Sequence, residues 1–102
     1  MPHFLLVAKD HPNEFDRRLN ARASHVALGD KLLAEGKLLF GGAMIDQDGN
    51  MYGSMLVCSF DSRGELDQWL EIEPYVTEDV WQEIEVSEFR IGPSFQDVLA
   101  KK

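Results

Sequence analysis

The sequence predicts an α+β fold in which a four-stranded antiparallel sheet carries two helices in the order β-α-β-β-α-β. Three observations lead there. Four short apolar runs have strand length, two intervening stretches carry apolar residues at helical spacing, and the connections are marked by Pro, Gly and Asx residues.

The first run, Phe4 to Ala8, is apolar on both parities, Phe4/Leu6/Ala8 and Leu5/Val7, which predicts a strand covered on both faces. The segment Lys9 to Asn13 breaks the pattern, because Pro12 disfavours helix at His11 and Asn13 offers an N-cap. Helix one follows and stops at Gly36, a residue suited to a left-handed C′ position. On a helical wheel Phe15, Leu19, Val26, Leu32 and Leu33 share an arc of roughly 140° and are expected to form its buried stripe.

Lys37 to Ile45 is the second strand, interrupted by Gly41-Gly42. Paired glycines there signal either a bulge or a ligand approaching the backbone, and Gly42 is a candidate contact on the second reading. Asp46 to Asn50 is a turn with the hairpin signal Asp48-Gly49, and Gly53 to Phe60 is the third strand. Ser62-Arg63-Gly64-Glu65 forms a capping box, so helix two begins at Arg63 and ends before Pro74. Tyr75 to Trp81 is a loop or single helical turn. Glu83 to Ile91 is the last strand, with a parity change near Ser87 that suggests a bulge or a change of partner. One domain spans residues 1–102, with 93–102 a surface arm.

This order is the ferredoxin-like arrangement, in which both helices lie on one face of the sheet. The opposite face should be polar if it meets water, yet Leu5, Val7, Met55 and Val57 fall there. An apolar patch on so small a chain is better covered by a partner than by solvent. A homodimer packed sheet to sheet, an α+β barrel, is the expectation.

A net charge of -8 argues against a nucleic-acid partner, which would need a basic surface. No run approaches the roughly 20 apolar residues of a membrane span. The start lacks a basic n-region, so a cytoplasmic location is expected. The single cysteine, Cys58, lies in an apolar strand, and its expected role is that of a small buried hydrophobe rather than a nucleophile. His3, His11 and His25 lack metal-ligand spacing, so no metal and no cofactor is expected.

Chemistry is suggested by Arg18, Arg22 and His25, which fall inside the apolar arc of helix one. Cations on a packing face are costly unless paired or opened to a cavity, which predicts a small, partly buried pocket. Imidazole titrates near neutrality, making His25 the candidate acid or base, and Arg22 one turn away on the same face the anion anchor. Glu73, after helix two, is the candidate carboxylate partner of His25, with Tyr75 and Ser54 as hydroxyl contacts. Structural readings compete: His25 as a satisfied helix residue, Glu73 as a surface acid, and Arg18 and Arg22 as edge residues snorkelling to Asp10, Glu14 or carboxylates of the last strand, a reading favoured for Arg18.

Asp10, Arg18, Arg22-Ala23-Ser24-His25, Gly41-Gly42, Gly53-Ser54, Asp61-Ser62 and Glu73-Pro74-Tyr75 stand in an order and spacing that resembles the YCII-related (YciI-like) family over nearly the whole chain. The resemblance implies the dimeric α+β barrel fold and an active-site dyad of a helix-one histidine and an aspartate before Pro-Tyr, which maps onto His25 and Glu73. Two positions depart from the family pattern. Glu73 replaces the usual aspartate, one methylene and about 1.5 Å longer, and Ala43 stands where proline is frequent. The family's links to breakdown of small aromatic compounds, and its similarity to muconolactone isomerase, imply a cofactor-independent enzyme. Its reaction would be proton transfer, isomerisation or elimination, on a small anionic or phenolic metabolite. The alternative is a non-catalytic dimeric ligand-binding or assembly module.

Overall fold

The computed structural model describes residues 2–100. Met1 and the two C-terminal lysines lie outside the described residues. The strands are β1 (His3–Asp10), β2 (Leu38–Ile45), β3 (Met51–Ser59) and β4 (Trp81–Phe89), and the helices α1 (Phe15–Ala34), α2 (Arg63–Leu70), α3 (Pro74–Thr77) and α4 (Pro93–Ala100). All strand pairs are antiparallel and the spatial order is β2-β3-β1-β4. This is the expected β-α-β-β-α-β sheet, with a short α3 at the single helical turn and a helix, α4, within the arm.

One core lies between the sheet and the helices. Phe4, Leu6 and Ala8 of β1 and Leu56 and Cys58 of β3, with Phe60 just beyond, meet Ala21 and Leu32 of α1 and Leu66 and Trp69 of α2. The Phe60 and Trp69 rings stack with centroids 5.7 Å apart. Pairing of Leu5 with Val57 and Val7 with Met55 puts these four side chains on the opposite, helix-free face. Register also adds Phe40 to that face, 57% exposed in the single chain. No helix among the described residues is long and apolar enough to cross a membrane.

The helix ends follow local chemistry. Gly36 adopts φ +77, its N–H donates to the Leu33 carbonyl and that of Lys37 to Leu32, a Schellman close. Ser62 Oγ accepts from Glu65 N, while Glu65 Oε1 reaches back to Asp61 N rather than to Ser62 N. Asn13 does not cap α1. It takes φ 61, a left-handed conformation asparagine tolerates, and passes the N-cap position to Glu14, which makes no side-chain cap.

Of the stripe expected on α1, Leu32 alone is buried. Arg18, Ala21 and Leu32 are buried, whereas Phe15, Leu19, Val26 and Leu33 are 40–48% exposed. Val26 and Leu33 face a cleft between α1 and β2 instead of a packed neighbour, and Phe15 a second cleft beside the β1–α1 loop. The β2 irregularities also lie elsewhere: register shifts between Leu38 and Phe40 and again between Met44 and Ile45, on either side of the glycine pair. In β4 pairing runs unbroken from Glu83 to Phe89, so Phe89 merely faces the open side and no bulge forms at Ser87.

Candidate active site

A cleft of about 440 Å³ opens between α1, β2 and the start of β3. Its apolar wall includes Val26, Leu33, Leu38 and Leu56, and its polar lining is Arg18, Arg22, His25, Ser54 and Tyr75. The chain carries 18 acidic residues, but none lines this cleft. A second cleft of about 620 Å³ beside the β1–α1 loop is lined by Asp10, Glu14, Asp46 and Glu83, an environment that repels anions. No group of three or more His, Cys, Asp or Glu side chains could hold a metal ion among the described residues.

His25 Nδ1 is hydrogen-bonded to Glu73 Oε1. Glu73 is fully buried, because it ends the α2 turn, with its N–H donating to the Trp69 carbonyl, and caps α3 by accepting from Tyr75 N at 3.3 Å. Pro74 at the first position of α3 supports that cap. The added methylene relative to aspartate is thus accommodated with the hydrogen bond intact. Glu73 Oε2 is buried without a partner among the described residues. The Tyr75 ring stacks on His25 at 3.8 Å with planes 6° apart, and Trp81 meets both rings edge-on. Burial raises the Tyr75 phenol above its ordinary pKa, against the pull of Arg18 and Arg22, so it stays protonated at neutral pH.

Arg18 is held behind this group, 3% exposed. Nε donates to Asp10 Oδ2 at 2.7 Å, while Nη2 donates to the Gly53 carbonyl and to Ser54 Oγ, each at 2.7 Å. Its Cζ lies 4.9 Å from the centre of the Tyr75 ring. Arg18 therefore does pair with Asp10, but inside the protein and not by snorkelling from an edge. Arg22 lies exposed on the cleft lining and has no ion-pair partner among the described residues.

Of the residues singled out from sequence, His25, Glu73, Tyr75 and Ser54 are brought together, Arg22 stands on the same lining, and Gly42 lies across the cleft on β2. A Cβ at Gly42 would meet open space, whereas one at Gly41 would lie 2.2 Å from Leu56 Cδ2. Sequence reasoning missed Trp81. Its indole Nε1 donates to Ser54 Oγ at 3.3 Å, an orientation set by the left-handed turn at Asp79 two residues earlier, which no sequence signal marks. That aspartate is clamped by His11 Nε2 and Arg17 Nη1, and hydrogen bonding from His11 is the main cause that holds its carboxyl below the ordinary range.

The YCII-related domain profile matches residues 2–90. Protein YciI of Escherichia coli O6:H1 is 29% identical over 93 residues, covering 85% of this chain and 95% of that protein. An uncharacterised protein of Haemophilus influenzae is 29% identical over 94 residues, covering 86% and 96%. Among solved structures, 5-chloro-2-hydroxyhydroquinone dehydrochlorinase (TftG) of Burkholderia phenoliruptrix AC1100, in complex with 2,5-dihydroxybenzoquinone, superposes with a TM-score of 0.80 at 26% identity, over 90% of this chain and 97% of that one. An antibiotic biosynthesis monooxygenase shares the fold alone, with a TM-score of 0.56 at 16% identity over 91% of this chain and all of that one.

Proposed function

The chain belongs to the YCII-related domain family, and from that premise we propose that it is a small cofactor-independent enzyme that moves a proton on a compact anionic or phenolic ring. The observation that carries this reading is the contact of His25 with buried Glu73 at a cleft lined by cations and free of carboxylates. With Nδ1 engaged by the carboxylate, the neutral imidazole keeps its proton there and offers the Nε2 lone pair as a base. After proton uptake at Nε2, the dry carboxylate of Glu73 stabilises the imidazolium, which can then return the proton to another atom of the substrate. That sequence gives isomerisation, or elimination where a leaving group departs.

Arg22 supplies the anion anchor at the cleft, and Ser54 and Tyr75 supply hydroxyl contacts, with the Gly42 backbone on the β2 side. The dehydrochlorinase likeness supports a chlorinated or hydroxylated ring as substrate class. Turnover of chlorohydroquinones, followed by chloride release, and binding of 2,5-dihydroxybenzoquinone test the reading. His25→Ala and Glu73→Gln should each lower turnover by about 100-fold or more while the fold is retained. Full activity in either folded variant rejects the dyad, and ligand binding without any turnover in the wild type favours a binding module.

The functional unit we propose is a homodimer closed through the helix-free sheet face, which carries Leu5, Val7, Phe40, Met55 and Val57. Sedimentation should give a dimer at micromolar concentration, and Val7→Lys should shift it to monomer. A monomeric wild type overturns the assembly.

A further inference from the structure

We propose that the Ser54 hydroxyl is a donor-only contact for a carbonyl, enolate or phenolate oxygen of the ligand, with Arg18 and Trp81 as the positioning residues that fix its direction. The inference rests on the cleft being a ligand site, and adds which oxygen chemistry that site selects and why.

A serine hydroxyl has one O–H donor and two lone pairs. Ser54 Oγ accepts from Arg18 Nη2 at 2.7 Å and from Trp81 Nε1 at 3.3 Å. Guanidinium and indole N–H groups only donate, so both lone pairs are consumed and the hydroxyl cannot turn round to accept from a ligand. Its proton has to go outward. No described residue accepts it, although Ser54 is only 4% exposed and lines the cleft. A nearly buried donor without an acceptor is costly unless a ligand or water oxygen completes it.

The direction is enforced from behind. Asp10 holds the Arg18 guanidinium through Nε, the Gly53 carbonyl takes another of its hydrogens, and the antiparallel pairing of Ala8 with Ser54 ties β3 to β1 at the same level. A cation hydrogen-bonded to Oγ also polarises the O–H, making it a stronger donor to a negatively charged oxygen than a solvated serine would be. Tyr75, kept protonated, adds a second hydroxyl to the lining. The site therefore favours a ring oxygen that carries or gains negative charge over a ligand group that must donate, such as an amine.

The test uses 4-nitrocatechol, whose visible spectrum reports ionisation of its phenol. Bound to the wild type, the probe should ionise at lower pH than when free. Ser54→Ala should weaken binding by about tenfold or more and remove that shift, Ser54→Thr should restore both, and Trp81→Phe, which frees one lone pair, should fall between. Ser54→Cys, nearly isosteric with a weak donor, gives the same comparison should the alanine variant not fold. A probe that fails to bind the wild type at millimolar concentration, or binds folded Ser54→Ala with unchanged affinity and ionisation, overturns the inference. His25→Ala separates it from the acid–base reading. If that variant keeps full turnover, the dyad fails while a Ser54-dependent shift still stands. If His25 controls turnover but the shift ignores Ser54, the donor assignment alone fails.

Discussion

The rings of His25 and Tyr75 lie face to face, centroids 3.8 Å apart and planes within 6°. Together with the Nδ1 contact to Glu73, this stack leaves the imidazole no free rotation, and Nε2 is its one ring nitrogen without a partner among the described residues. Tyr75 is 1% exposed, so its ring is also core. Tyr75→Phe keeps the stack and should cost less than about 1.5 kcal/mol. Tyr75→Ala removes it and should cost about 3–5 kcal/mol, measured by urea unfolding. Under the proposed function, Tyr75→Phe should lose substrate affinity without losing the fold.

The pair Asp10 and Arg18 makes a second stability prediction. Both side chains are nearly inaccessible, 8% and 4% exposed. Removing one partner leaves a buried charge uncompensated, so Arg18→Met or Asp10→Leu alone should each cost about 3–5 kcal/mol. The double variant should cost well under the sum, because the surviving charge is the main penalty. A double-mutant cycle from urea midpoints checks this, and additive costs would contradict it.

How far the sequence carried the fold follows from where periodicity and turn chemistry are strong. The strands of β1 and β3, the Gly36 stop and the capping box at Ser62 all rest on local signals, and the structure shows them. The α1 stripe was misjudged because Phe15, Leu19, Val26 and Leu33 satisfy helical periodicity as well as the true inner face does, and periodicity cannot tell a cleft wall from a core. Arg18 and His25, which the sequence places within the same arc, do turn inward, beside buried Ala21 and Leu32. Trp81 was invisible for a different reason. Its link to Ser54 spans 27 residues and depends on the left-handed turn at Asp79, where a non-glycine residue gives no warning.

Cys58 is buried, and burial pushes its thiol from an ordinary value of 9.0 up to about 12. Between those pH values the unfolded chain loses this proton and the folded chain keeps it, so the unfolded state binds fewer protons and stability falls as pH rises. The slope contributed by this group is at most about 1.4 kcal/mol per pH unit. Urea unfolding at pH 8, 9.5 and 10.5 should show wild type losing stability faster than Cys58→Val, in which the other titrating groups are unchanged. In the folded wild type at pH 8 the thiol should resist alkylation. Parallel pH profiles for the two proteins would refute the assignment.

The glycines of β2 and β3 separate packed positions from open ones. A Cβ at Gly53 would lie 2.4 Å from the Ala8 carbonyl oxygen, and one at Gly41 would lie 2.8 Å from that of Met55, both backbone atoms that cannot step aside. Gly53→Ala and Gly41→Ala should therefore destabilise by about 1–3 kcal/mol. At Gly42 a Cβ meets nothing within 4 Å, so Gly42→Ala should leave the unfolding midpoint nearly unchanged. Gly42 pairs with Met55, so a side chain there projects from the helix-free face, and Gly42→Leu should alter the proposed sheet-to-sheet dimer while leaving the fold of the chain intact. Thermal unfolding and sedimentation on the same three positions give the contrast: stability lost at Gly41 and Gly53, association altered at Gly42. A Gly42→Leu variant that dimerises just as the wild type does would take this position out of the proposed interface.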